Sequence, residues 1–179
     1  MTTERADLAS VRYRQFTVNE QPATTADPEA DSQSSGSGLA AEKARRLGVI
    51  DAMRDAGDNP YPYRFDRTHT LAEVRDSWGH LEPGIETEDA VTVAGRVMLK
   101  RDSGKLIFAT IRDRSGEVQL FISKAVVGDD DFAAIKNLDL GDWVGVAGTV
   151  MTTRKGELSV KPDSVMLLSK AIRPMPDKW

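Results

Sequence analysis

The stretch VAGRVMLKRDSGKLIFATIRDRSGEVQLFIS (93–123) carries the chemistry of this chain in three residue types: the ring of Phe108, the amide of Gln119, and a series of cations that begins at Arg96. An aromatic ring offers a π-face on which any unpaired base stacks, for about 1 to 3 kcal/mol. A glutamine amide couples a donor with an acceptor and fits adjacent groups on uracil. A mismatched base would leave a desolvated polar group, at about 1 to 3 kcal/mol. Arg96, Lys100, Arg101, Lys105 and Arg112 supply charge that follows phosphates and makes such binding salt-dependent. Glu117 shares the parity of Gln119 and can accept a hydrogen bond from a base amino or imino group. This is the chemistry of binding, and no residue is assigned a catalytic role. His69 and His80 are too far apart, and too little supported by carboxylates, for a metal site or a catalytic pair, so no metal is expected. The glycines of SGSG (35–38) lack the strand-to-helix context of a phosphate loop.

The formal charge of −4 conceals an uneven distribution. Residues 90–127 hold 7 basic and 3 acidic groups, an excess of 7 − 3 = +4, whereas 1–38 hold 3 and 6, 39–89 hold 7 and 11, and 128–179 hold 7 and 8. A local basic patch acts within a Debye length whatever the total, although a solvated sheet surface would show the same excess. The absence of cysteine excludes a disulfide framework and a thiolate zinc site, and suits a reduced cytoplasm. No apolar run approaches the roughly 20 residues of a membrane span, and MTTERADLAS lacks the apolar centre of a signal peptide. The expectation is a cytoplasmic chain without a membrane partner, whose 179 residues suffice for one domain with appended segments.

The elements that must position these residues are legible from periodicity. Residues 1–38 read as a disordered tail, because 19–38 combine Pro, Ser, Thr, Gly and acids with no large apolar side chain to offset the entropy of ordering. Val11, Tyr13, Phe16 and Val18 within it suggest weak docking. Residues 39–89 form a lead-in. Its helix over 39–56 carries the apolar stripe Ala40, Ala44, Leu47, Ile50 and Met53 and stops at Gly57. The run NPYPYRF is extended, and a short helix follows, with Thr70 as N-cap and Glu73 completing a capping box. Strands are expected over 91–99, 105–112 and 117–123, with a turn at DRSG (113–116). In the first, Val91, Val93, Val97 and Leu99 point inward and Gly95 marks a bend or bulge. In the others, Phe108 and Gln119 fall on the outward parity. A helix over 129–138 precedes two more strands flanking the RKG turn, and Trp143 reads as core. The order β-β-β-α-β-β is that of a mainly β, five-stranded OB-fold Greek-key barrel over 90–170, with a small β-sandwich as the competing arrangement.

These strings together resemble the N-terminal anticodon-binding domain of class IIb aminoacyl-tRNA synthetases, the lysyl type above all. The resemblance rests on RRLGVIDAMRDAGDNPYPY, the 93–123 stretch, DLGDWVGVAGTV and RKGELSVKPDSVMLLSKAIRPMPDKW, and covers Ala44 to Trp179. It implies that Phe108 in GKLIF stacks on the central anticodon base, and that Gln119 in EVQLF hydrogen-bonds that base, a uracil in lysine tRNA. It also implies that Arg101 in KRDSGK stands beside the same site. The odd parity of Arg101 disagrees with the outward set, so it is expected past the end of the first strand, in the turn. The family's ATP, magnesium and lysine sites lie on a separate catalytic domain, so this chain is expected to hold no cofactor and to be inactive alone. Residues 171–179 then begin the linker to a catalytic domain in cis. A fusion to a lipid-lysylating membrane enzyme is an alternative origin, which the start at Met1 disfavours. A general single-strand binder and a protein-interaction module that docks through the 39–56 helix remain alternative functions.

Overall fold

The computed structural model describes residues 34–176, so the expected tail over 1–33, its docking residues and the last three positions lie outside the described residues. The first helix, α1 (Ser34–Asp55), starts within the segment read as tail. It ends as expected at Gly57, whose φ of 82° places it in the left-handed region. Gly57 N–H donates to Arg54 O and Asp58 N–H to Met53 O, the paired bonds of a Schellman stop.

The buried face of α1 differs from the expected stripe. Ile50 and Met53 are buried, but Leu47, Ala40 and Ala44 are exposed, and Arg46, only 4% exposed, takes the inner position one turn earlier. The reason is that an ionic network replaces apolar packing at this end of the helix. Arg46 Nη1 donates to the carbonyls of Leu140, Ala171 and Arg173, while its Nε holds Glu42 at 2.7 Å. Arg45 reaches Asp139 at 2.5 Å, and Lys170 Nζ bridges Asp139 and Asp142. Asp142 is fully buried and also accepts from the backbone N–H of Ala171.

The NPYPYRF segment crosses the sheet surface, with the Phe65 ring lying where a side chain at Gly145 would stand. The second helix, α2 (Leu71–Trp78), has the expected capping box: Thr70 Oγ1 accepts from Glu73 N–H, and the Glu73 carboxylate accepts from Thr70 N–H. Its N-terminus is tied to a distant turn, because the Asp113 carboxylate accepts from Leu71 N–H and Ser115 Oγ accepts from Ala72 N–H. Leu71 and Val74 thereby enter the core with no exposed area. His69 packs edge-on against Trp78, centroids 5.4 Å apart.

Five strands close into a barrel: β1 (Glu86–Asp102), β2 (Leu106–Arg112), β3 (Glu117–Ser123), β4 (Trp143–Thr152) and β5 (Leu158–Ser169). Their order is β1-β2-β3-β5-β4, closed by the β1–β4 pairing, so the expected OB-type barrel holds. Between β3 and β4 lie the single turn α3 (Lys124–Val127) and α4 (Asp129–Lys136). Inward residues alternate along β2 and β3, where Ile107, Ile111, Val118, Leu120 and Ile122 are buried, and Phe132 and Ile135 of α4 join the same core. Trp143 does not join it. The inner parity of β4 belongs to Val144 and Val146, which turns Trp143 outward at 40% exposure. At Gly95 a side chain would lie 3.1 to 3.2 Å from Ile111 and Arg112, so this position serves close strand approach. Among the described residues no helix is long and apolar enough to cross a membrane.

Candidate nucleic-acid interface

An irregularity in β1 assembles the site. Val97 faces Ile111, but the next partner pair is Leu99 with Thr110, so Met98 is an extra residue and the pleat parity reverses beyond it. Leu99, expected inward, is 60% exposed. Lys100 shares the inward register of Ala109, and Arg101 pairs with Phe108 on the outward face. Arg101 therefore sits inside the strand and not in the turn. Its guanidinium lies over the Phe108 ring, 5.4 Å from the centroid. The bulge resolves the parity conflict that the sequence presented, because parity was counted through a residue the ladder skips.

Phe108 and Gln119 lie on the outward faces of β2 and β3, both half-buried. Phe121 faces Phe108 across the strand pair, ring centroids 5.4 Å apart and planes at 79°. With Arg101 they line a cleft of about 620 Å³ whose other wall is the β4–β5 turn, including Arg154, Lys155 and Glu157. Gln119 Nε2 donates to Ser159 Oγ at 2.9 Å, and Ser159 Oγ donates to Glu157 O at 3.1 Å. Among the described residues, Arg101, Arg154 and Lys155 form no ion pair. Glu86, also in the wall, is held by Lys161 at 2.6 Å. The cleft thus combines stacking rings, an anchored amide and cations whose charge is unneutralised.

The other candidates from the sequence lie elsewhere. Arg96 donates to Gly141 O at 3.2 Å and stands opposite Trp143 in the β1–β4 ladder. Lys100 directs its ammonium to the carbonyls of Lys136 and Leu138 at the end of α4, and burial pushes it below its ordinary pKa. Arg112 is paired with Glu117 at the far end of the β2–β3 hairpin, which engages both side chains with each other. Lys105 lies exposed in the β1–β2 turn. Phe121, Arg154, Lys155 and Ser159 were not singled out in the sequence. For Phe121 the signal existed, since it shares the parity of Phe108 and Gln119. The other three come from strand β5 and its turn, whose position beside β3 depends on barrel closure.

Residues 91–168 match the tRNA anticodon family described as an OB-fold nucleic acid binding domain. With its closed five-stranded sheet, the barrel belongs to that class. The chain is 43% identical over 142 residues to the lysine–tRNA ligase of Thermosynechococcus vestitus, an overlap of 76% of this chain and 28% of that protein. It is 46% identical over 136 residues to the lysine–tRNA ligase of Bacillus subtilis, covering 75% and 27%. For the Enterococcus faecalis lysine–tRNA ligase the figures are 44% over 132 residues, 73% and 26%. The OB-fold domain of this chain is thus similar to the corresponding part of these lysine–tRNA ligases, and the chain spans little more than a quarter of their length.

Proposed function

We propose that the cleft binds the anticodon loop of lysine tRNA, with the central uracil stacked among Phe108, Phe121 and Arg101 and read by Gln119. The observation that carries this reading is the convergence of the two rings, the amide and three unneutralised cations on one cleft wall and its facing turn. Stacking supplies grip without selectivity. Selectivity falls to the amide: one Nε2 N–H is spent on Ser159, which leaves the second N–H and the carbonyl Oε1 side by side. That pair matches O4 and N3–H of uracil. Arg101, Arg154 and Lys155 are placed to follow the phosphates of the splayed loop. In this reading the chain is the RNA-reading module of a cytoplasmic lysine–tRNA ligase, and ATP, magnesium and lysine are handled by a catalytic domain in cis.

Filter binding of a lysine anticodon stem-loop at low salt tests the site. Phe108→Ala and Gln119→Ala are each expected to weaken binding by about 1 to 3 kcal/mol, roughly 5- to 150-fold. Unchanged affinity in both variants would remove the basis for the site. Equal affinity of the wild-type chain for poly(U), poly(C) and the stem-loop would favour a general single-strand binder instead.

A further inference from the structure

We infer that Ser159 is a positioning residue for base selectivity: it fixes which way round the Gln119 amide faces the cleft, and so makes the site prefer uracil to cytosine. The inference rests on the uracil reading above. It begins from the hydrogen-bond chain in which Gln119 Nε2 donates to Ser159 Oγ and Ser159 Oγ donates to Glu157 O. A hydroxyl has one proton. With that proton committed to the Glu157 carbonyl, Oγ can only accept from Gln119. The amide nitrogen must therefore face Ser159. A flipped amide would set Oε1 against an oxygen with no proton to give.

Ser159 has no exposed area, so water does not compete for its lone pairs. It stands beside Gln119 because β3 and β5 run parallel there, with Gln119 paired to Ser159 and Leu120 to Val160. The consequence for a base follows from donor and acceptor order. In the fixed orientation, Oε1 accepts from uracil N3–H and the second N–H donates to O4. Cytosine in the same pose presents an acceptor at N3 and an amino donor at C4, opposing both groups. A flipped amide would satisfy cytosine and oppose uracil. The serine hydroxyl, which touches no base in this arrangement, thus determines which pyrimidine fits.

The test compares the full chain bound to two lysine anticodon stem-loops, one with uracil and one with cytosine at the central anticodon position. Loss of one hydrogen bond that biases the amide is expected to narrow the uracil-to-cytosine affinity ratio about two- to tenfold in Ser159→Ala, chiefly through gain on cytosine. Ser159→Thr keeps the hydroxyl and should keep the wild-type ratio. Phe108→Ala should weaken both loops alike and leave the ratio in place. An unchanged ratio in Ser159→Ala, whether or not both affinities fall, overturns the inference, as does an equal narrowing in Ser159→Thr. A measurement without mutation is also available: one Gln119 Nε2 proton of the wild-type chain should exchange with solvent more slowly than the other, and equal exchange of the two overturns the fixed amide. A wild-type chain that binds both loops equally defeats the uracil reading itself, a result distinct from a serine without influence on a real preference.

Discussion

The cleft and the junction between α1 and the end of β5 are both rich in charge, but they use it in opposite ways. At the junction every charge is spent: Asp142 and Lys170 are buried and paired, Asp139 is shared between Lys170 and Arg45, and Arg46 is held by Glu42 and three carbonyls. Such groups repay their desolvation only through good geometry, and they fix how α1 lies against residues 171–173. In the cleft, Arg101, Arg154 and Lys155 keep their charge at the surface, where an incoming phosphate can use it. Counting basic residues along the chain cannot separate the two uses. Of the cations in the basic middle segment, Arg112 is neutralised by Glu117 and Lys124 by Asp129, and Lys100 is tied to two carbonyls.

The sharpest way to break this contrast is to remove one partner of the buried pair. Asp142→Ala leaves the buried Lys170 with Asp139 alone and strands the N–H groups of Asp139 and Ala171, and it is expected to cost about 3 to 5 kcal/mol in denaturant unfolding, with RNA affinity per folded molecule unchanged. A loss below about 1 kcal/mol would mean the network is not the anchor of α1. On the cleft side, Arg154→Ala with Lys155→Ala should leave the unfolding midpoint in place. The slope of log affinity against log salt should fall by about 0.7 for each cation that contacts a phosphate of the single-stranded loop. An identical salt slope would place the RNA backbone elsewhere.

The smallest effect expected is on acid stability. Hydrogen bonds from Arg45 and Arg46 lower the Glu42 carboxyl from 4.5 to about 2. For Asp139, burial works against the charged form, but Lys170 and Arg45 outweigh it and hold the carboxyl below its ordinary value. Both carboxyls thus bind protons less readily folded than unfolded, so their stabilisation is complete above the unfolded value and drains as pH falls through the folded one. The melting temperature should decline between about pH 5 and pH 2, and Glu42→Gln should flatten part of that decline. A decline of the same steepness in the variant would remove Glu42 from the account.

Much of the site was legible because strand pleat has a strict period. Phe108 and Gln119 were assigned to one outward face from alternation alone, and the barrel placed them there. The capping box at Thr70 and the stop at Gly57 were legible for the same local reason, since each depends on residues a turn apart. Arg101 was misplaced because the bulge at Met98 is invisible to a count of odd and even positions. Leu47 and Trp143 were misread because apolar character says that a residue favours burial, not which face its element presents.

By itself, then, the sequence determined the succession of strands and helices along the chain and the faces of β2 and β3, which follow from local periodicity, and its resemblance to the anticodon-binding family singled out Phe108 and Gln119 on those faces. Only the closed barrel decided what stands around that pair. Pairing β5 with β3 sets Ser159 against Gln119 across 40 residues of chain, and brings the Arg154–Lys155 turn to the opposite wall. These are contacts between segments remote in sequence, whose pairing is decided only when both bury their apolar faces in one shared core.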